Sequence, residues 1–243
     1  MFHLSKKTKL DIYHNSPLIE VIFEIKFPGE PVVECRRDIF FDFIREDYSK
    51  IFVPQAKEGS FVALEPYHFE KEDRSSGIML AMNKFSYYCR KYPGFALFKK
   101  EVIRLLEMFK KTYPKINTLN RTGFRYVNII PFTREDGIVP LDRFLKVKLQ
   151  MPTTIPERYK NISVGFIAKT NGGSITTRIE TLFSADKSGE AILLDIDYAK
   201  EKEEGLSVAN VKKYLEESHT YSRQLFEDLI TDSYRMLLRG EAI

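Results

Sequence analysis

Cysteine is scarce, with Cys35 and Cys89 the only two in 243 residues. They have neither the clustering of a disulfide framework nor the spacing of a thiolate metal site, so a reducing, cytoplasmic compartment is expected. Long apolar runs are missing as well. No window approaches the ~20 apolar residues of a membrane span, and the opening MFHLSKKTKLDIY lacks the apolar centre of a signal peptide. Neither membrane insertion nor export is expected. Low-complexity tracts are absent, and 43% hydrophobic with 30% charged residues is the usage of a folding chain. No sign of charge dominates: 38 Lys and Arg face 34 Asp and Glu, a net +4. That balance is compatible with a nucleic-acid partner without calling for one. The basic runs Lys6-Lys7-Thr8-Lys9, Lys99-Lys100 and Lys110-Lys111 read as solvated faces.

Sequence signatures of common chemistry are also lacking. There is no H-E-x-x-H, G-x-S-x-G, GxxxxGK[ST] or GxGxxG, so hydrolase, NTPase and dinucleotide chemistry lose their strongest warrants. No cofactor and no metal site are expected, and enzyme status has no positive support.

What is present is alternation. In LIEVIFEIKF (18–27), Ile19, Val21, Phe23, Ile25 and Phe27 share one face while Glu20, Glu24 and Lys26 take the other, which predicts a half-buried antiparallel strand. Pro28-Gly29-Glu30-Pro31 ends it. Ile39, Phe40, Phe43 and Ile44 then recur at helical spacing within about 33–48. Strands are predicted at 61–69, 78–83 and 85–92, with Pro66 marking an edge or a bulge. Phe95, Phe98, Val102, Leu105, Leu106 and Phe109 stripe a helix that Pro114 closes.

The second half repeats the rhythm without sequence self-similarity. A strand is predicted over 118–132, with Gly123 as a bulge or a close backbone approach. A short helical turn at Leu141–Leu145 leads to strands at 145–151, 161–170, 174–183 and 191–199. Asn171-Gly172-Gly173 is a hairpin signal, because these residues accept the positive φ of a tight turn. Ser207 is the expected N-cap of a helix to about Glu217, followed by another from about Ser218 to Leu238. The fold class is therefore α+β, with antiparallel sheet covered by long helices and a C-terminal helical segment. Two halves, 1–115 and 116–243, are expected, either separate or fused.

Three segments together, PLIEVIFEIKF, RTGFRYVNII, and LLDID followed by His219 and FEDLIT (226–231), resemble a sporadically distributed prokaryotic family of uncharacterised proteins of about this length. The resemblance implies no reaction. Its sporadic occurrence implies a role linked to mobile elements or antiviral defence.

Among candidate site residues, Asp195 and Asp197 lie two apart on a strand, so their carboxylates project from one face. Such a pair ligates a cation, shares a proton, or simply belongs to a solvated sheet face. Arg121 and Arg125 share parity, and so do Arg178 and Glu180. They form either an anion-binding face or cross-strand ion pairs with Asp195 and Asp197. His219 is the first histidine to consider, with Tyr221, Ser222, Glu216 and Glu217 nearby, as a general base or as a cap and packing residue. Phe85 and Tyr87 with Arg90 and Lys91 are the nucleic-acid candidates, since single strands stack on such interleaved platforms; core packing is the rival reading. Cys35 and Cys89 are expected to be core thiols.

The function expected from all this is a non-enzymatic binding or regulatory module acting through protein–protein contacts. Leu225, Phe226, Leu229, Ile230, Tyr234 and Leu237 are expected to form a homodimer interface. The alternative is a metal-dependent enzyme or binder acting on nucleic acid or a phosphorylated ligand. In it Asp195 and Asp197 stand near a cation, and Arg121, Arg125 or Arg178 holds the anion.

Overall fold

A computed structural model describes residues 12–53, 66–148, 152, 154–155, 158–183, 189–201 and 204–241. The strands are β1 (Leu18–Lys26), β2 (Lys50–Phe52), β3 (Tyr67–Glu70), β4 (Ser76–Ala81), β5 (Lys84–Cys89), β6 (Thr118–Leu119), β7 (Arg121–Phe132), β8 (Ser163–Lys169), β9 (Ser174–Phe183), β10 (Glu190–Lys200) and β11 (Glu204–Gly205). The helices are α1 (Val32–Cys35), α2 (Arg37–Ile44), α3 (Phe95–Thr112), α4 (Leu141–Phe144), α5 (Val208–Leu229) and α6 (Asp232–Arg239). Nine strands form one antiparallel sheet in the order β2-β3-β4-β5-β1-β7-β10-β9-β8, and β6 pairs with β11 separately. The expected α+β class with an antiparallel sheet is what the chain adopts. Expected strand residues 61–65 and 149–151, and the basic run at 6–9, lie outside the described residues.

Alternation places the core on one face of the sheet. Val21, Phe23, Ile25 and Phe27 of the opening segment are buried, as are Phe85 and Tyr87 of β5, Phe124 and Tyr126 of β7, and Leu194, Ile196 and Tyr198 of β10. Helices α2, α3 and α5 cover this face. Phe40 of α2 makes edge contacts to Phe69, Phe85 and Phe109, and Phe98 of α3 packs on Tyr87 and Phe124. Each buried aromatic removes a large apolar area from water, so this layer supplies most of the stabilisation. Among the described residues the opposite face carries no helix. Its rows of charged side chains are the other half of the same alternation.

Several local expectations give way to tertiary context. Ile19 is exposed rather than in the core, because the β1–β7 register shifts between Leu18 and Glu20. The helix expected at 33–48 is broken at Arg36 into α1 and α2. Ser207 does cap α5, accepting a bond from the Asn210 N–H, yet that helix continues unbroken past Ser218 to Leu229. The break falls at Ile230, whose backbone bridges to Leu145, and Thr231 caps α6. Leu145 pairs there instead of joining the sheet, with the Lys146 N–H donating to the Leu229 carbonyl. Cys89 is buried, but Cys35 is exposed, because one-turn α1 buries only Val33.

The apolar stripe expected to form a dimer interface is turned inward: Phe226, Ile230 and Tyr234 are buried, and Leu225, Leu229 and Leu237 pack against the core. Tyr234 meets Phe144 edge-on at 5.3 Å, so α4 and α6 use much of that surface.

Candidate functional site

The charged rows on the open face come from four strands brought together by the central position of β1. Register pairs Ile22 with Arg125, Arg125 with Asp197, and Asp195 with Arg178. Arg125 donates to both Asp195 oxygens, at 2.6 and 2.8 Å. Asp195 is only 3% exposed, so this fork holds a nearly buried carboxylate. Arg178 reaches the same carboxylate at 3.9 Å. Arg121 lies across Gly123 and donates to Glu24 at 2.8 Å and Asp197 at 2.7 Å. A Cβ at Gly123 would collide with the Arg121 guanidinium, which is what the absence of a side chain there permits. Burial raises the Asp197 pKa, against the pull of Arg121 and Arg125. The bonds that Arg125 donates to the Asp195 carboxylate raise its own pKa. Arg121, Arg125, Arg178, Asp195 and Asp197 thus meet in one cross-strand ion-pair network, in which a cation at Asp195 would have to displace a bidentate guanidinium. Among the described residues no cluster of three or more His, Cys, Asp or Glu is placed to hold a metal ion.

The aromatic candidates separate by parity. Phe85 and Tyr87 face the helices and are buried, so they present no ring face on which a base could stack. Arg90 sits on the other face, with its guanidinium 4.9 Å from the Tyr88 ring and 3.3 Å from Glu20. Lys91 pairs with Asp73 at 3.1 Å.

Helix α5 separates two concavities. On one side His219 shares a 2.6 Å hydrogen bond with the Tyr126 hydroxyl through Nδ1, and its ring stacks on Phe95 at 3.9 Å with planes 6° apart. The Tyr126 and Tyr92 hydroxyls share a 3.3 Å bond. Tyr13 donates to Glu227 at 2.6 Å, and Arg235 donates to the same carboxylate at 3.0 Å. Burial and the Glu227 bond push the Tyr13 phenol up to about 12. The cavity among His219, Tyr126, Tyr92, Asn128, Arg223 and Glu227 measures ≈ 60 Å³, space for a few waters and too little for an organic ligand.

On the other side is an open cleft of ≈ 620 Å³ between α5 and the tip of the β8–β9 hairpin. Glu216, Glu217, Thr220, Tyr221 and Gln224 share one face of α5, opposite Asn171 and Gly172. Its floor is aromatic, because Tyr221 stacks on Tyr198 with centroids 5.4 Å apart. Tyr198 is fixed from below, where Tyr214 donates to its carbonyl at 2.6 Å. Its hydroxyl also accepts from Thr170 at 3.5 Å and lies beside Gly172, which positions the hairpin tip. On the rim, Glu216 accepts from Lys99 at 2.9 Å, which lowers its pKa, and Glu217 lies 3.8 Å from Lys213.

His219 and Tyr221 therefore serve different surfaces, and Glu216 does not orient the imidazole. The partner of His219, Tyr126, escapes a motif-based reading because it lies 93 residues away on another element. One signal did exist: a tyrosine at a core parity needs a partner for its hydroxyl. The same reasoning marks Tyr198. No family model matches the chain, and no curated protein matches it.

Proposed function

We propose that this protein is a non-enzymatic binding module whose partner is another protein, held as an extended segment in the cleft between α5 and the β8–β9 hairpin. The observation that carries this reading is the cleft itself, ≈ 620 Å³ with a stacked Tyr198–Tyr221 floor beneath a rim of carboxylates, amides and a hydroxyl. Ligand sites of that size are mostly apolar, with a few polar groups fixing orientation. A lysine or arginine side chain laid over Tyr221 gains about 0.5–2 kcal/mol from the ring face, depending on its desolvation. Glu216 and Glu217 complement its charge, and Gln224 and Asn171 supply amides for the main chain of a bound segment.

The reading as two strand-then-helix halves, 1–115 and 116–243, belongs to the same proposal. It is supported by the strand order, in which β1 and β7 are adjacent at the centre and pair outward with β5 and β10, the last main-sheet strand of each half. In this arrangement α3 and α5 are counterparts, and α5 borders the proposed cleft.

The test is selection of peptides from a displayed random library, followed by titration calorimetry. Selected peptides enriched in Lys or Arg that lose at least tenfold affinity in Glu217→Arg support the proposal. Peptides that bind Glu217→Arg and the wild type equally contradict it.

A further inference from the structure

The two edges of the main sheet are unlike. β2 is three residues long, whereas β8 runs seven residues as Ser163-Val164-Gly165-Phe166-Ile167-Ala168-Lys169. Among the described residues no strand pairs with the outer edge of β8. Apart from Val164, which packs against the core, its residues are exposed, Phe166 at 41% and Ile167 at 74%. A long apolar edge of this kind is a template for another strand.

The free hydrogen-bonding groups can be assigned. The Thr170 N–H donates to the Gly173 carbonyl and the Thr181 N–H to the Ile162 carbonyl, both at 2.8 Å. Even-numbered residues of this strand therefore bond inward to β9. Ser163, Gly165, Ile167 and Lys169 direct their N–H and C=O groups outward, since these directions alternate along an antiparallel strand. An added antiparallel strand must match those odd positions.

We infer that β8 pairs with β8 of a second copy of this chain about a two-fold axis through Phe166, joining two sheets into one. This register overlaps the whole strand and places odd residues opposite odd residues, as the free groups require. Gly165 then faces Ile167 of the second copy, and the relation is reciprocal, so the most exposed apolar side chain meets the one position without a side chain. Lys169 of the second copy falls opposite Ser163, which donates to Glu180 at 3.3 Å, so a cation arrives beside a carboxylate. No like charges oppose. On the other face Phe166 meets Phe166 in a non-hydrogen-bonded pair, the arrangement that brings side chains closest. A single strand pair makes a small interface, so association falls in the micromolar range.

Two measurements test this. The first is sedimentation velocity of the full chain from about 1 to about 200 µM, concentrations that bracket an interface of this class. The wild type is expected to pass from monomer to dimer, and Gly165→Val to stay monomeric. A Cβ at Gly165 meets the Arg178 stem at 3.6 Å and the Thr177 carbonyl at 3.8 Å, both ordinary contacts, so the variant folds and merely fills the space for Ile167 of the other copy.

The second is oxidative crosslinking in a Cys35→Ser background, which removes the exposed native thiol. Phe166→Cys places Cα atoms about 4.5 Å apart across the axis, within roughly 4.4–6.8 Å for a disulfide. Ala168→Cys places its own copies about 14 Å apart, four residues along the strand and one strand spacing across. Crosslinking of Phe166→Cys alone is the expected result. A wild type monomeric throughout, a Gly165→Val variant that dimerises like the wild type, or equal crosslinking at both positions overturns the inference.

Discussion

The two sides of α5 put similar residue types to opposite uses. On the His219 side, Tyr126 bonds to His219 and Tyr92, and Tyr13 and Arg235 bond to Glu227, beside a space of ≈ 60 Å³. On the Tyr221 side, tyrosine and glutamate stand around an open ≈ 620 Å³. Residues that look chemical in the sequence, a histidine above all, are engaged in holding the fold. Residues without a motif line the accessible surface. The ion-pair network on the face away from α2, α3 and α5 extends the same contrast, since its arginines and aspartates satisfy each other.

The largest loss of stability is expected at that network. Arg125→Ala leaves Asp195 buried without its fork, and a carboxylate so stranded costs about 3 kcal/mol. At this chain length that lowers the melting midpoint by about 6–12 °C. Differential scanning calorimetry should show the loss, with peptide affinity unchanged in the folded variant.

Next comes His219→Ala, which removes the Phe95 stack and the Tyr126 bond and is expected to cost about 2 kcal/mol in urea unfolding. An unaltered midpoint would mean that His219 is held for something other than stability.

Alkali probes the buried aromatic layer as a whole. Tyr13, Tyr48, Tyr87, Tyr88, Tyr113 and Tyr234 are all pushed above the ordinary phenol value of 10.0, with burial the leading cause. A phenol with a raised folded-state pKa keeps its proton in the native chain while the unfolded chain loses it. Its contribution is complete below pH 10 and is lost as pH climbs through the folded value, about 12 for Tyr13. The urea midpoint should therefore fall steeply above pH 10, and phenolate absorbance of the native chain should lag behind that of the unfolded chain.

The smallest expected effect has the opposite sign. Thr177 is fully buried and its hydroxyl has no partner among the described residues, so Thr177→Val should gain about 0.5–1 kcal/mol.

The sequence made legible whatever local periodicity and caps decide. Val21, Phe23 and Ile25 revealed β1 by alternation and Ser207 the start of α5; Asn171-Gly172-Gly173 marked the hairpin, though none of the three takes the positive φ expected, and the Gly173 Cβ is excluded instead by the Ala199 carbonyl. Hidden features depend on partners far along the chain. The end of α5 at Ile230 depends on Leu145 pairing beside it, and the three residues of β2 are too few to carry a period. Whether Arg121 and Arg125 met Asp195 and Asp197 rested on strand order, because the same parity serves an anion pocket or an ion-pair lattice. The cleft was the least visible feature. Tyr198 and Tyr221 belong to different elements, and no spacing links them.

Titration calorimetry of a Lys- or Arg-bearing peptide selected on the wild type, repeated on Tyr221→Ala and His219→Ala, separates the two sides of α5 in one measurement. The account predicts at least a tenfold loss of affinity for Tyr221→Ala and wild-type affinity for folded His219→Ala. Undiminished binding to Tyr221→Ala, or loss confined to His219→Ala, would contradict it.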